Sequence, residues 1–156
     1  MTEISGDARV MEFFPATLTE EQTKGFIGRN HQQMEKYGHC YFATELRDSG
    51  RMIGFIGLAY QDYDAHFTPC VDIGWRLHPD VWGQGLATEG AQACMDFALH
   101  ELKLPEVVAV AVSQNTASIR VMEKIGMTYD SSFDHPELAQ RPDLKTCVLY
   151  RMKGES

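Results

Sequence analysis

The stretch from Cys70 to Gly90, CVDIGWRLHPDVWGQGLATEG, constrains this chain more than any other. Val71, Ile73, Trp75 and Leu77 alternate as in a strand, His78-Pro79-Asp80 breaks it, Gly83 and Gly85 space a turn, and a long helical pattern then opens. Strand, glycine loop and helix in that order make a site for an anion. Glycines let backbone N–H groups approach a ligand closely, and the helix adds unpaired first-turn amides and the positive end of its dipole. A phosphate fits there.

Spacing separates three kinds of glycine loop. A P-loop needs Gly, four residues, then Gly-Lys-Ser/Thr; Gly85 and Gly90 have the spacing, but Ala91-Gln92 follow, which removes the lysine and the metal-binding hydroxyl. A dinucleotide fingerprint needs a third small residue three places after the second glycine, where Thr88 stands, and an acidic residue ending the next strand, whereas Glu106 begins it. The third kind is carried by Trp82-Gly83-Gln84-Gly85-Leu86-Ala87. From Gly83 onward it resembles the acetyl-CoA loop of the GCN5-related N-acetyltransferases (GNAT), with Trp82 in the place of the usual Arg or Gln. LHPD before it and LATEG after it resemble the RimJ/RimL-like branch, which acetylates protein N-termini or small amines. A second segment, NTASIRVMEKIGM from Asn115, resembles the family's other conserved element, with Met127 in the usual aromatic place.

Composition bounds the rest. At 156 residues the chain is long enough for one ordinary domain with a real core, taken as 1–156, and too short for two. The net charge of −8 argues against nucleic acid, which is bound through clustered Lys and Arg, and suits basic substrates at long range. Cys40, Cys70, Cys94 and Cys147 form no CxxC pair or zinc-spaced cluster, so they read as reduced thiols with no metal. No basic region with an apolar run opens the chain, and no stretch approaches the ~20 apolar residues that span a bilayer. A cytoplasmic protein without a membrane partner is expected.

Along the chain, Thr19 with Gln22 reads as a capping box opening a helix over 19–37, whose stripe is Phe26, Asn30, Met34 and Tyr37. Residues 39–46 and 52–60 read as a hairpin across Asp48-Ser49-Gly50, followed by a polar loop over 61–69 and a strand over 70–78. A helix over 85–103 keeps Ala87, Ala91, Cys94, Ala98 and Leu102 on one stripe; 106–113 is a buried strand. A helix over 115–125 ends at Gly126, and 127–133 and 145–152 are closing strands. This order predicts an α+β or mixed α/β fold around a twisted sheet.

The resemblance implies the GNAT acyltransferase fold and an N-acetyltransferase that uses acetyl-CoA as cosubstrate and an amine as acceptor. It also exposes an anomaly: the family's usual first strand is missing. The strand over 39–46 would then carry Tyr41 and Phe42 on an unpaired edge, which predicts a homodimer, a swapped strand or a shortened chain. By resemblance, Leu77 supplies an amide near the thioester carbonyl, Gly83 to Thr88 hold the pyrophosphate, Asn115 contacts the cofactor arm, and Arg120 or Lys124 meets the adenosine phosphates. Asp72 is the candidate base and, since Val121 and Met122 occupy the neighbourhood of the family's usual Tyr, Ser118 is the candidate acid. Loops at 10–18, 61–69 and 134–144 border the acceptor. The competing class is a CoA-binding module without turnover; a nucleotide-dependent oxidoreductase would need a repeated strand–loop–helix unit that the chain lacks.

Overall fold

The computed structural model describes residues 1–155. A single six-stranded sheet organises them, in the order β1-β2-β3-β4-β6-β5. The strands are β1 Tyr41–Glu45, β2 Met52–Gln61, β3 Cys70–Leu77, β4 Glu106–Val112, β5 Thr128–Asp134 and β6 Thr146–Lys153. Neighbours pair antiparallel except β3 and β4, which run parallel and meet at one register pair, Asp72 with Val108. Beyond that pair the sheet opens toward the C-terminal ends of both strands, and the opening is what makes room for a site.

The helices are α1 Thr2–Ser5, α2 Glu20–Tyr37, α3 Leu86–Asp96 and α4 Thr116–Lys124. The segment before α2 holds the short α1 and a run of turns, with no strand, so the described residues keep the sheet at six strands. None of these helices is long and apolar enough to cross a membrane.

Local chemistry accounts for each boundary. At α2 the Thr19 side chain accepts from the Gln22 N–H while the Gln22 side chain accepts from the Thr19 N–H, so both halves of the capping box form. Gly38, at φ 76°, closes the helix in the left-handed region. The face turned to the sheet is more polar than its stripe predicts. Gln33 exchanges two hydrogen bonds of 2.9 Å with the Tyr60 backbone, and Asn30 accepts from the Tyr41 N–H. Met34, expected on the inward stripe, is instead 46% exposed.

The helix expected over 85–103 is α-helical only to Asp96 and continues as a π-helical turn, Phe97–Glu101. Its small residues do their expected work: Ala91 and Ala98 are fully buried, and a Cβ on Gly90 would sit 2.3 Å from Ile56 Cδ1. That close approach presses α3 onto β2 and β3. The core between them is built from Ile53, Ile56, Leu58, Ile73, Met95 and Val107.

Candidate functional site

Two cavities flank the opening between β3 and β4. The larger, about 500 Å³, runs past Leu77, Trp82, Gly83, Gly85 and the first turn of α3, with Arg120 and Lys124 at its side. The smaller, about 240 Å³, lies along β3 from Asp72 to Arg76 and takes in Tyr41, Gln61, Tyr63 and Asp72. Phe13, Phe14, Trp75, Arg76, Asn115 and Ser118 line both.

The larger cavity has the features of a phosphate cleft. Gly83 and Gly85 adopt φ of 73° and 75°, and a Cβ on either would meet only open space. Gly85 is the N-cap of α3 and no side chain caps that end, so the first-turn amides of Leu86, Ala87 and Thr88 face the cleft without a side-chain acceptor. Gln84 differs from its neighbours: its side chain turns away to donate to the Asp80 carbonyl at 3.3 Å, so only its backbone belongs to the loop. Trp82 braces the loop. Its indole N–H donates to the Leu77 carbonyl at 2.9 Å, tying the loop to the end of β3.

Leu77 is oriented by the ladder. The His78 N–H donates to Ile53 O across the β2 side, and in an antiparallel pair successive N–H groups alternate in direction. The Leu77 N–H therefore points into the opening. Asn115 caps α4, accepting from the Ser118 N–H at 3.2 Å, which fixes that helix beside the gap. The Ser118 hydroxyl in turn accepts from Trp75 Nε1 at 3.3 Å, a bridge from β3 to α4 across the gap.

The smaller cavity holds the candidate base. Asp72 accepts from the Tyr41 hydroxyl at 2.6 Å and from Gln61 Nε2 at 3.1 Å. Burial pushes its carboxyl up to about 7, against the pull of those two hydrogen bonds, with a smaller upward push from Glu137. Burial and the nearby Asp72 charge raise the Tyr41 and Tyr63 hydroxyls, so both stay protonated. Phe13 and Phe14 before α2, Gln61 at the end of β2, Tyr63 after it, and His135, Glu137 and Leu138 after β5 close the chamber.

Asp72 and Ser118, far apart in the chain, thus share one chamber. Tyr41 corrects the edge expectation: β1 is an edge strand, but its Tyr41 ring turns inward to stack on Phe55 at 4.8 Å, and only Phe42 is exposed. Tyr41, Gln61 and Arg76 were missed by sequence reasoning. The visible signal was the polar alternation of Asp72, Gly74 and Arg76 within a run read for its apolar face.

The profile of the acetyltransferase (GNAT) domain matches residues 1–128. The uncharacterized N-acetyltransferase YnaD of Bacillus subtilis strain 168 is 34% identical over 133 residues, covering 84% of this chain and 73% of its own. A GNAT-family acetyltransferase from Bacillus anthracis superimposes with a TM-score of 0.79 at 27% identity, covering 98% of this chain and 86% of that one. The fold is also that of Salmonella typhimurium YncA, solved with its cofactor acetyl-CoA, at a TM-score of 0.75 and 19% identity over 99% of this chain and 87% of that one. Matches of this extent in sequence, on an opened sheet with a glycine-rich cleft, settle the affiliation: the chain belongs to the GNAT acetyltransferase family.

Proposed function

We propose that this acetyltransferase moves the acetyl group of acetyl-CoA to a primary amine, either a protein N-terminal α-amine or a small-molecule amine, by direct attack in a ternary complex. The observation that carries the reading is the shared wall of Trp75, Asn115 and Ser118 between the glycine-loop cleft and the Asp72 chamber. A donor in one and an amine in the other meet at that wall.

The residues fit the cosubstrate. Open amides at Leu86 to Thr88 and positive-φ glycines suit a pyrophosphate, and Lys124 and Arg120 add positive charge along the same cleft. Acetyl-CoA supplies an acetyl group activated as a thioester. Asp72, poised near neutrality, accepts the proton of the attacking amine directly or through a water. The Leu77 N–H donates to the acetyl oxygen as negative charge develops there. Trp75 occupies a lone pair of Ser118 Oγ, leaving the hydroxyl hydrogen for the departing sulfur. A C–N bond forms, a C–S bond breaks, and one proton moves at each end.

The LHPD and LATEG segments support placement in the RimJ/RimL-like branch. We also infer a homodimer formed through β1. Asn30 covers the Tyr41 N–H on its outer edge, which leaves the strand from Phe42 onward to pair, and sedimentation as a monomer would overturn this.

The test is thiol release from acetyl-CoA against a panel of amines and N-terminal peptides, run beside a thermal shift with CoA. Amine-dependent release is expected. A CoA shift without turnover would mark a binding module instead, and no response to CoA would overturn the assignment of Cys70 to Gly90.

A further inference from the structure

Arg76 is a buried cation without a carboxylate partner. It is 9% exposed, and among the described residues its side chain makes one hydrogen bond, Nη1 to Ser5 Oγ at 3.3 Å. Its Nε is sealed from solvent with no acceptor. Three rings surround the guanidinium, those of Phe14, Phe55 and Phe26, at 4.4, 5.1 and 5.6 Å. Rings stabilise a cation but accept few of its five N–H donors. Burial lowers its pKa to about 10, so it remains charged at neutral pH. A charge held this way is destabilising until an anion arrives.

Its position says which anion. Asp72, Gly74 and Arg76 alternate on one face of β3, and both charged side chains line the smaller cavity, Arg76 at the side where it borders the larger one. The two do not pair with each other: Asp72 is held by Tyr41 and Gln61, Arg76 by Ser5. An acidic and a basic group sit apart along one chamber, each without a countercharge. That arrangement is complementary to a zwitterion.

We propose that the acceptor is an amino acid, its carboxylate seated on Arg76 and its amine turned to Asp72. This rests on the transfer reading of the chamber and narrows it. The size agrees: about 240 Å³ is room for roughly eight waters at ~30 Å³ each, which suits one amino acid. Phe14, Phe55 and Tyr63 offer an apolar surface to its side chain.

Matched pairs test the proposal: phenylalanine against phenethylamine, and methionine against 3-methylthiopropylamine. The wild-type protein is assayed by thiol release and, without acetyl-CoA, by thermal shift. The acid of each pair should be favoured about tenfold to a hundredfold in kcat/KM, the worth of a charge-assisted hydrogen bond. In Arg76→Gln that preference should vanish through KM, with the thermal shift by CoA retained. Equal use of acid and amine by the wild type, or loss of the CoA shift in Arg76→Gln, would overturn it. If no amine is acetylated, the transfer reading fails, and the wild-type thermal shifts still decide whether the chamber selects carboxylates. Those shifts also decide it if Arg76→Gln does not fold.

Discussion

The Tyr41 hydroxyl donates to Asp72 Oδ1 at 2.6 Å from a strand two positions away in the sheet. It stabilises the ionised carboxylate that burial opposes. Removing the hydroxyl in Tyr41→Phe therefore raises the Asp72 pKa further above about 7. In the proposed mechanism the amine proton goes to the ionised form, so kcat/KM of the wild type should rise with pH through that value. In Tyr41→Phe the same limb should move to higher pH, and a pH–rate profile measures the displacement. An unmoved limb would remove Asp72 as the group that titrates.

The same shift makes a stability prediction of opposite sign to that of an ordinary ion-paired carboxylate. Asp72 binds its proton more tightly folded than unfolded, so between about 3.8 and 7 the native state holds the extra proton. Stability contributed by this group is present below that window and falls as pH rises through it, by at most roughly 1.4 kcal/mol per unit. Partial exposure of Asp72 trims that slope. Asp72→Asn should flatten the decline of Tm between pH 5 and 8 while lowering kcat by about a hundredfold or more.

The bridge from Trp75 Nε1 to Ser118 Oγ predicts a graded pair of variants. Ser118→Ala removes the hydroxyl and should lower kcat about tenfold, below the usual range for a general acid because a hydroxyl is a weak one. Trp75→Phe keeps an aromatic ring and frees the Ser118 lone pair, so its effect should be smaller. Steady-state kinetics with kcat unchanged in both Ser118→Ala and Asp72→Asn would sink the proposed pair of proton carriers.

What could be read from the chain followed the range of the interactions. The capping box at Thr19 and Gln22 and the glycine loop at Gly83 and Gly85 are local, so spacing alone exposed them. Tyr41 is 31 residues from Asp72, and its inward turn depends on strand register and on Asn30 of α2 holding the Tyr41 N–H. Arg76 was in plain view, but a polar residue in a half-buried strand reads as solvated until its ring neighbours from three separate segments are known. The π-helical turn after Asp96 has no counterpart in an alanine stripe, because small residues tolerate either winding.

Trp82 stands at the head of the glycine loop, and its hydrogen bond to the Leu77 carbonyl ties that loop to the end of β3. Trp82→Phe should keep the ring and release the tie, costing about 1 kcal/mol and weakening CoA several-fold by loosening the loop. Calorimetric titration with CoA measures the second effect. Unchanged affinity would reduce Trp82 to a surface residue, in keeping with its 49% exposure.

Gly85 separates backbone strain from ligand contact. Its φ of 75° lies in the left-handed region, where an alanine costs about 1 kcal/mol, yet a Cβ there would touch nothing. Gly85→Ala should therefore fold, with Tm lowered by about 2–4 °C. The new methyl group would stand beside the open amides of Leu86 to Thr88, so CoA affinity should fall far more than stability. Titration with CoA and with adenosine 3′,5′-bisphosphate distinguishes the two losses. Affinity that drops only in step with Tm would mean that the amides at this helix end do not hold the phosphates.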